Sequence, residues 1–203
     1  MRLFVSVDLP TSFAAPIAAI QSAFADASGL SFTDPEGAHV TLKFLGEVDP
    51  GTVPALETEL EAAVSDADVA PFSVTYGGLG VFPDLSYVSV LWLGVEEGGA
   101  ELTRLHRAIE ERTTAMGFDA ESHDFTPHVT LARMEHAGGK ELVQALVRDW
   151  DPSAVEATDD DELRATEDGP VVGETTVSEI RLTESTLGPD GPVYETVSRF
   201  PLD

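Results

Sequence analysis

The tetrapeptide His39-Val40-Thr41-Leu42 occurs a second time, unchanged, as His128-Val129-Thr130-Leu131. With only five histidines in 203 residues, a histidine-led repeat is rare by chance, and both copies lie in strand-like surroundings. The repeat limits what the chain can build. In a strand, residues i and i+2 share a face and lie roughly 6.5–7 Å apart. His39 and Thr41 are therefore expected to project together, with Val40, Leu42 and Phe44 entering the core. His128 and Thr130 would do likewise above Val129 and Leu131. Two such strands facing across a cleft present two imidazoles and two hydroxyls to one small anion. That set suits acid–base phosphoester chemistry. A neutral imidazole takes a proton from water or a hydroxyl, an imidazolium protonates the leaving oxygen, and hydroxyls hold the phosphoryl oxygens. Because the two motifs are identical, they do not say which histidine is the acid. No metal is required.

The rest of the chain alternates strand and helix patterns. Leu3, Val5 and Val7 mark a strand over Arg2–Asp8. A helix capped at Thr11 or Ser12 is expected to run to about Ala27, with Gly29 beyond it. The spacing of Val53, Leu56, Leu60 and Val64 predicts a second helix, and Leu102, Leu105, Ile109 and Met116 a third. Strands are expected over residues 38–46, 72–76, 85–95, 128–134, 175–185 and 193–200, and a short helix over 141–150. Gly77 to Gly80 reads as a loop, and the acidic stretch 151–174 as a solvated loop or insertion within a single domain of 203 residues. Pairs of strands and helices indicate an α+β fold of two similar lobes instead of a doubly wound parallel sheet.

Charge sets the surroundings in which such a fold must work. Eleven Lys+Arg stand against 37 Asp+Glu, for a formal net charge of −26, and lysine occurs only at positions 43 and 140. Self-repulsion from such a surface opposes folding at low salt, whereas at molar salt the Debye length falls to roughly 3 Å. The lysine-poor, acidic surface resembles that of proteins from extreme halophiles. The absence of cysteine excludes disulfides, a thiolate nucleophile and sulfur-ligated zinc. With no long apolar run and no signal-peptide layout, a cytoplasmic protein is expected, without a membrane partner and monomeric.

The motifs in their surroundings resemble the two-histidine (2H) phosphoesterases, and within them the RNA 2′,3′-cyclic phosphodiesterases, also called 2′-5′ RNA ligases. Arg2-Leu3-Phe4-Val5 with Asp8-Leu9-Pro10 is similar to the family's first strand, and residues 39–48 to its HxTLxFLGEV block. Phe125, Pro127 through Leu131 and Arg133 match the second block, and Leu182 with Ser185 the late strand. The resemblance implies two pseudo-symmetric lobes, each an antiparallel sheet with helices outside, and an active-site cleft between them. It implies hydrolysis of RNA 2′,3′-cyclic phosphate ends to 2′-phosphomonoesters without a cofactor. His39 would be the proton donor to the departing 3′ oxygen, His128 the proton acceptor from water, and Thr41 and Thr130 phosphate-binding residues. Lys43 and Arg133 are further candidate phosphate contacts, as is Arg181, because these cations persist near the motifs of a cation-poor chain. By strand parity Lys43 shares the face of His39, whereas Arg133 falls opposite His128 unless the strand bends.

Other readings use the same residues. Reversible 2′-5′ ligation would run the chemistry backwards, a small cyclic nucleotide could replace RNA, and a binding module could hold such ends without turnover. A two-histidine metal site lacks carboxylates at ligand spacing on those strands. His106, His123 and His136 are assigned no role. Tyr87 and Trp92 could stack on a base but are more commonly core residues.

Overall fold

The computed structural model describes residues 1–150, 164–166, 169–188 and 191–203. The element order begins β1 (Arg2–Asp8), α1 (Ala14–Ala23), β2 (Leu30–Phe32), β3 (His39–Glu47) and α2 (Val53–Ala67). It continues with β4 (Phe72–Asp84), β5 (Tyr87–Glu97), α3 (Gly99–Ala115), β6 (Val129–Met134) and α4 (Lys140–Arg148). Four strands close the chain: β7 (Arg164–Thr166), β8 (Gly169–Val177), β9 (Glu179–Gly188) and β10 (Gly191–Pro201).

The strands order as β10-β9-β1-β3-β6-β5-β4-β8-β7, with β2 beside β6, and each described ladder is antiparallel. The α+β architecture of two lobes holds. One lobe is β10-β9-β1-β3 and the other is β6-β5-β4-β8-β7 with β2. They join into one curled sheet at the pair Val40–Val129, between the two motif strands. The repeat therefore sits at the seam.

Helices cover the outer face because their apolar stripes match it. In α2, Leu56, Leu60, Ala63, Val64 and Ala67 are buried at helical spacing, and in α3, Leu102, Leu105 and Ile109 are. Each such large apolar side chain contributes roughly 1.5–3 kcal/mol on burial. The helices are exchanged between lobes. Helix α1 follows β1 but packs on β6 and β8, and α3 follows β5 but also packs on β3.

Several local expectations are corrected. Residues 77–80 are not a loop but lie inside β4, which runs from Phe72 to Asp84. Gly80 makes room for an indole: a Cβ there would collide with the Trp92 ring. The strand expected at 175–185 is the end of β8 and the start of β9, separated at Ser178. Of the acidic stretch 151–174, residues 151–163, 167 and 168 lie outside the described residues, whereas 169–174 belong to β8. No helix among the described residues is long and apolar enough to cross a membrane.

Candidate active site

Each motif strand carries the same irregularity. On β1, Val5 and Ser6 are consecutive, yet they face Lys43 and Thr41, so Leu42 is an extra residue on β3. On β5, Leu91 and Trp92 face Ala132 and Thr130, so Leu131 is the extra residue on β6. Such a bulge bends a strand and re-aims the side chains that follow it. Leu42 and Lys43 are both buried, as are Leu131 and Ala132, and the alternation resumes one residue late.

This shift reverses three parity expectations. Phe44 leaves the core for the face of His39 and Thr41, where it is 59% exposed and its ring lies 6.1 Å from Phe4. Arg133, at the position matching Phe44, turns onto the face of His128 and Thr130. Lys43 goes the other way. It is buried, ion-paired to Glu110 at 2.6 Å, and donates to the Asp119 carbonyl at 2.7 Å. Despite partial burial, that pair holds the Glu110 carboxyl below its ordinary range. Lys43 is therefore a buttress between β3 and α3 and cannot contact a phosphate in the cleft.

The extra residues leave carbonyls that the ladder does not serve in the regular way, and buried side chains reach them. His106 of α3 donates Nδ1–H to the Leu42 carbonyl at 2.8 Å and stacks on Phe125, with ring centroids 4.2 Å apart. Gln21 of α1 donates to the Leu131 carbonyl at 3.0 Å and to the Thr33 carbonyl at 2.8 Å. The Thr33 amide and hydroxyl also reach the Leu131 carbonyl, at 3.0 and 3.1 Å. Each exchanged helix thus grips one motif strand and the segment leading into the other motif.

The pair Val40–Val129 fixes how the motifs meet. Both valines are buried, so the flanking side chains lie together on the opposite, cleft face. The antiparallel register places His39 across from Thr130 and Thr41 across from His128. Both imidazoles are locked identically: Nδ1 of His39 bonds the Gly37 carbonyl at 2.8 Å, and Nδ1 of His128 the Thr126 carbonyl at 2.7 Å. A carbonyl only accepts, so Nδ1 carries the hydrogen in both rings and Nε2 is the nitrogen available to a substrate.

Aromatic rings seat each imidazole. Phe4 and Tyr194 lie 4.9 and 5.1 Å from His39, and Phe82 and Trp92 lie 4.9 and 6.2 Å from His128. Burial pulls both imidazole pKa values below the ordinary one. The carbonyl bonds oppose that pull in both. The nearby charges differ in sign: Asp8 favours the imidazolium at His39, whereas Arg133 and His39 itself disfavour it at His128.

Of the remaining candidates, Arg181 is ion-paired to Asp8 at 2.5 Å and to Glu179 at 2.8 Å, so its charge is already engaged. Arg133 makes no ion pair with a carboxylate among the described residues. Tyr87 is 69% exposed and is absent from both ring clusters, whereas Trp92 lies beside His128. Sequence reasoning missed Asp8, Phe4, Phe82 and Tyr194 as neighbours of the histidines. The pairing of β1 with β3 is what brings Asp8 to His39. No cluster of three or more His, Asp or Glu side chains able to hold a metal occurs among the described residues.

With this geometry in place, the sequence matches the model of the 2′-5′ RNA ligase superfamily over residues 9–163. The chain belongs to that superfamily. It is 32% identical over 200 residues to the RNA 2′,3′-cyclic phosphodiesterase of Archaeoglobus fulgidus, covering 98% of this chain and 99% of that one. A solved structure from Thermus thermophilus superposes with a TM-score of 0.71 at 26% identity, covering 100% of this chain and 98% of that one. Escherichia coli LigT, solved with 3′-AMP, superposes with a TM-score of 0.70 at 22% identity over 99% and 97% of the two chains, and shares the fold.

Proposed function

We propose that the protein hydrolyses RNA 2′,3′-cyclic phosphate ends to 2′-phosphomonoesters by acid–base catalysis from the two motif histidines. The observation that carries this reading is the matched pair of Nδ1 locks, which turns two Nε2 atoms to one face while the charges around them differ in sign. Water attacks phosphorus as His128 Nε2 takes its proton. The bond from phosphorus to the 3′ oxygen breaks, and His39 Nε2–H delivers a proton to that oxygen. The products are a 2′-phosphomonoester and a free 3′ hydroxyl. Thr41 and Thr130 donate to the non-bridging oxygens, where hydrogen bonds aimed at developing charge have most effect. Arg133 supplies a cation beside His128, and the exposed Phe44 ring offers the terminal base a stacking surface.

The net charge of −26 shapes this reading. Long-range attraction and counterion release supply little affinity for a polyanion here, so recognition rests on short-range contacts to one phosphate and its nucleoside. The wild-type chain should turn over a 2′,3′-cyclic mononucleotide in high salt with EDTA present, and failure to do so overturns the proposal. A substrate with sulfur in place of the 3′ bridging oxygen tests the roles. A thiolate leaves without a proton, so sulfur should restore turnover to His39→Ala and leave His128→Ala inactive. The reverse pattern would exchange the two roles.

A further inference from the structure

We infer that Asp8 is the positioning residue that keeps the proton on His39 and thereby decides which of two identical motifs supplies the acid. The inference rests on the catalytic reading above and goes beyond it, because neither motif contains the distinction. Asp8 is the register partner of His39 across β1 and β3. The next pair carries the bond from the Leu9 amide to the Ala38 carbonyl. Asp8 and His39 thus form a non-hydrogen-bonded pair, the kind in which side chains approach most closely. The carboxylate is held there from both sides. The Ser6 hydroxyl donates to Oδ1 at 2.9 Å and itself lies 3.1 Å from the Thr183 hydroxyl, while Arg181 binds Oδ2 at 2.5 Å.

Among the described residues, the other motif has no such group. Leu93 faces Val129, so the next position of β5 toward His128 is Gly94, where even a Cβ would meet the Gly77 carbonyl at 2.8 Å. In place of a carboxylate, the His128 side has Arg133. The charged and titratable groups around His39 are Asp8 from β1, Tyr194 from β10 and His128 from the other motif; Arg133, Arg2 and Asp34 bear on Tyr194, and Arg133 also on His128. Among the described residues, Asp8 is the one carboxylate that acts on His39, and the proton affinity it adds offsets part of the loss that burial imposes.

The test is the pH dependence of kcat/KM on a 2′,3′-cyclic mononucleotide. Activity falls on the alkaline side as His39 loses its proton and on the acid side as His128 gains one. In Asp8→Asn the alkaline limb should move down by about one pH unit, a loss of roughly tenfold on that side, with the acid limb unmoved. Two unmoved limbs, or movement of the acid limb alone, would overturn the inference. Arg181→Gln provides a second variant: with its counter-ion gone, Asp8 should move the alkaline limb upward, and no upward movement counts against it. Nitrogen-15 NMR titration of the histidines separates this inference from the catalytic reading. If no chain turns over the probe, the catalytic reading fails. The Asp8 inference still stands if the His39 midpoint falls in Asp8→Asn while that of His128 holds, and falls if His39 does not move.

Discussion

The two motif strands share a tetrapeptide, a bulge at its fourth residue and an Nδ1 lock to the carbonyl two residues back, yet their surroundings diverge at almost every matched position. Beside His39 stand Asp8, Phe4 and Tyr194; beside His128 stand Gly94, Phe82, Trp92 and Arg133. Buried Lys43 matches Ala132, exposed Phe44 matches Arg133, and the bulge carbonyls are served by His106 in one half and by Gln21 in the other. The repeat thus builds a symmetric frame, and the neighbours of the repeat make its chemistry directional. A general acid and a general base work in opposite protonation states, and unlike settings raise the share of molecules in which each of two identical residues holds the state its role needs.

The largest test of this division is loss of either histidine. His39→Ala and His128→Ala should each lower turnover by about 10²–10⁴-fold, measured on a cyclic mononucleotide. Equal retention of rate in both would break the comparison. Because burial lowers both imidazole pKa values, the bell of kcat/KM should centre on the acid side of an ordinary imidazole titration. Its acid limb should report His128, which must be neutral, and its alkaline limb His39, which must be charged.

Next come the residues that the bulges re-aim. Lys43→Met leaves Glu110 without its partner and should destabilise the fold by about 3 kcal/mol, read from denaturant unfolding. Arg133→Gln should leave unfolding unchanged and lower kcat/KM by about 10–100-fold. If Lys43→Met instead raised KM on a fully stable protein, the assignment of Lys43 to the interior would be wrong.

Smaller effects separate the two bulge supports. His106→Leu removes the donor to the Leu42 carbonyl and should cost about 2 kcal/mol of stability. Gln21→Leu takes a donor from the Thr33 carbonyl but should cost only about 1 kcal/mol, because the Thr33 amide and hydroxyl still reach the Leu131 carbonyl. Equal losses would show that the additional donors contribute nothing. Smallest in stability is Phe44→Ala. Its ring is exposed, so the unfolding midpoint should stay put while KM for a nucleotide rises by about fivefold, consistent with roughly 1 kcal/mol of base stacking.

Much of this molecule could be read from residue order. Alternation placed β1 to the residue, and helical spacing placed α2 and α3, because those patterns depend on which face meets the core. The four motif side chains at the seam were likewise legible, since a period of two puts His and Thr on one face. The bulges were not. One extra residue leaves no mark in composition, so period-two counting beyond Leu42 and Leu131 sent Phe44 inward, Lys43 outward and Arg133 to the wrong side. The glycines at 77–80 were misleading for a related reason: they signal a turn locally, but the space of a side chain at Gly80 is filled by the Trp92 ring from the next strand, and that at Gly77 by Glu96 and Val171. Asp8 could be assigned only once β1 was known to pair with β3. Sequence patterns report faces well, and they report neighbours only through contacts that the chain order hides.

The exchange of α1 and α3 has a consequence for how the chain can be divided. If it were cut in the turn between β5 and α3, each piece would keep a complete histidine motif. The first piece would lose His106, which steadies its own motif strand at Leu42, and the second would lose Gln21, which does the same at Leu131. Neither fragment could set its imidazole alone, but mixed together each would bring the helix the other lacks. The cleft is therefore an obligate joint product of both halves of the polypeptide, and activity should reappear only as the fragments reassociate.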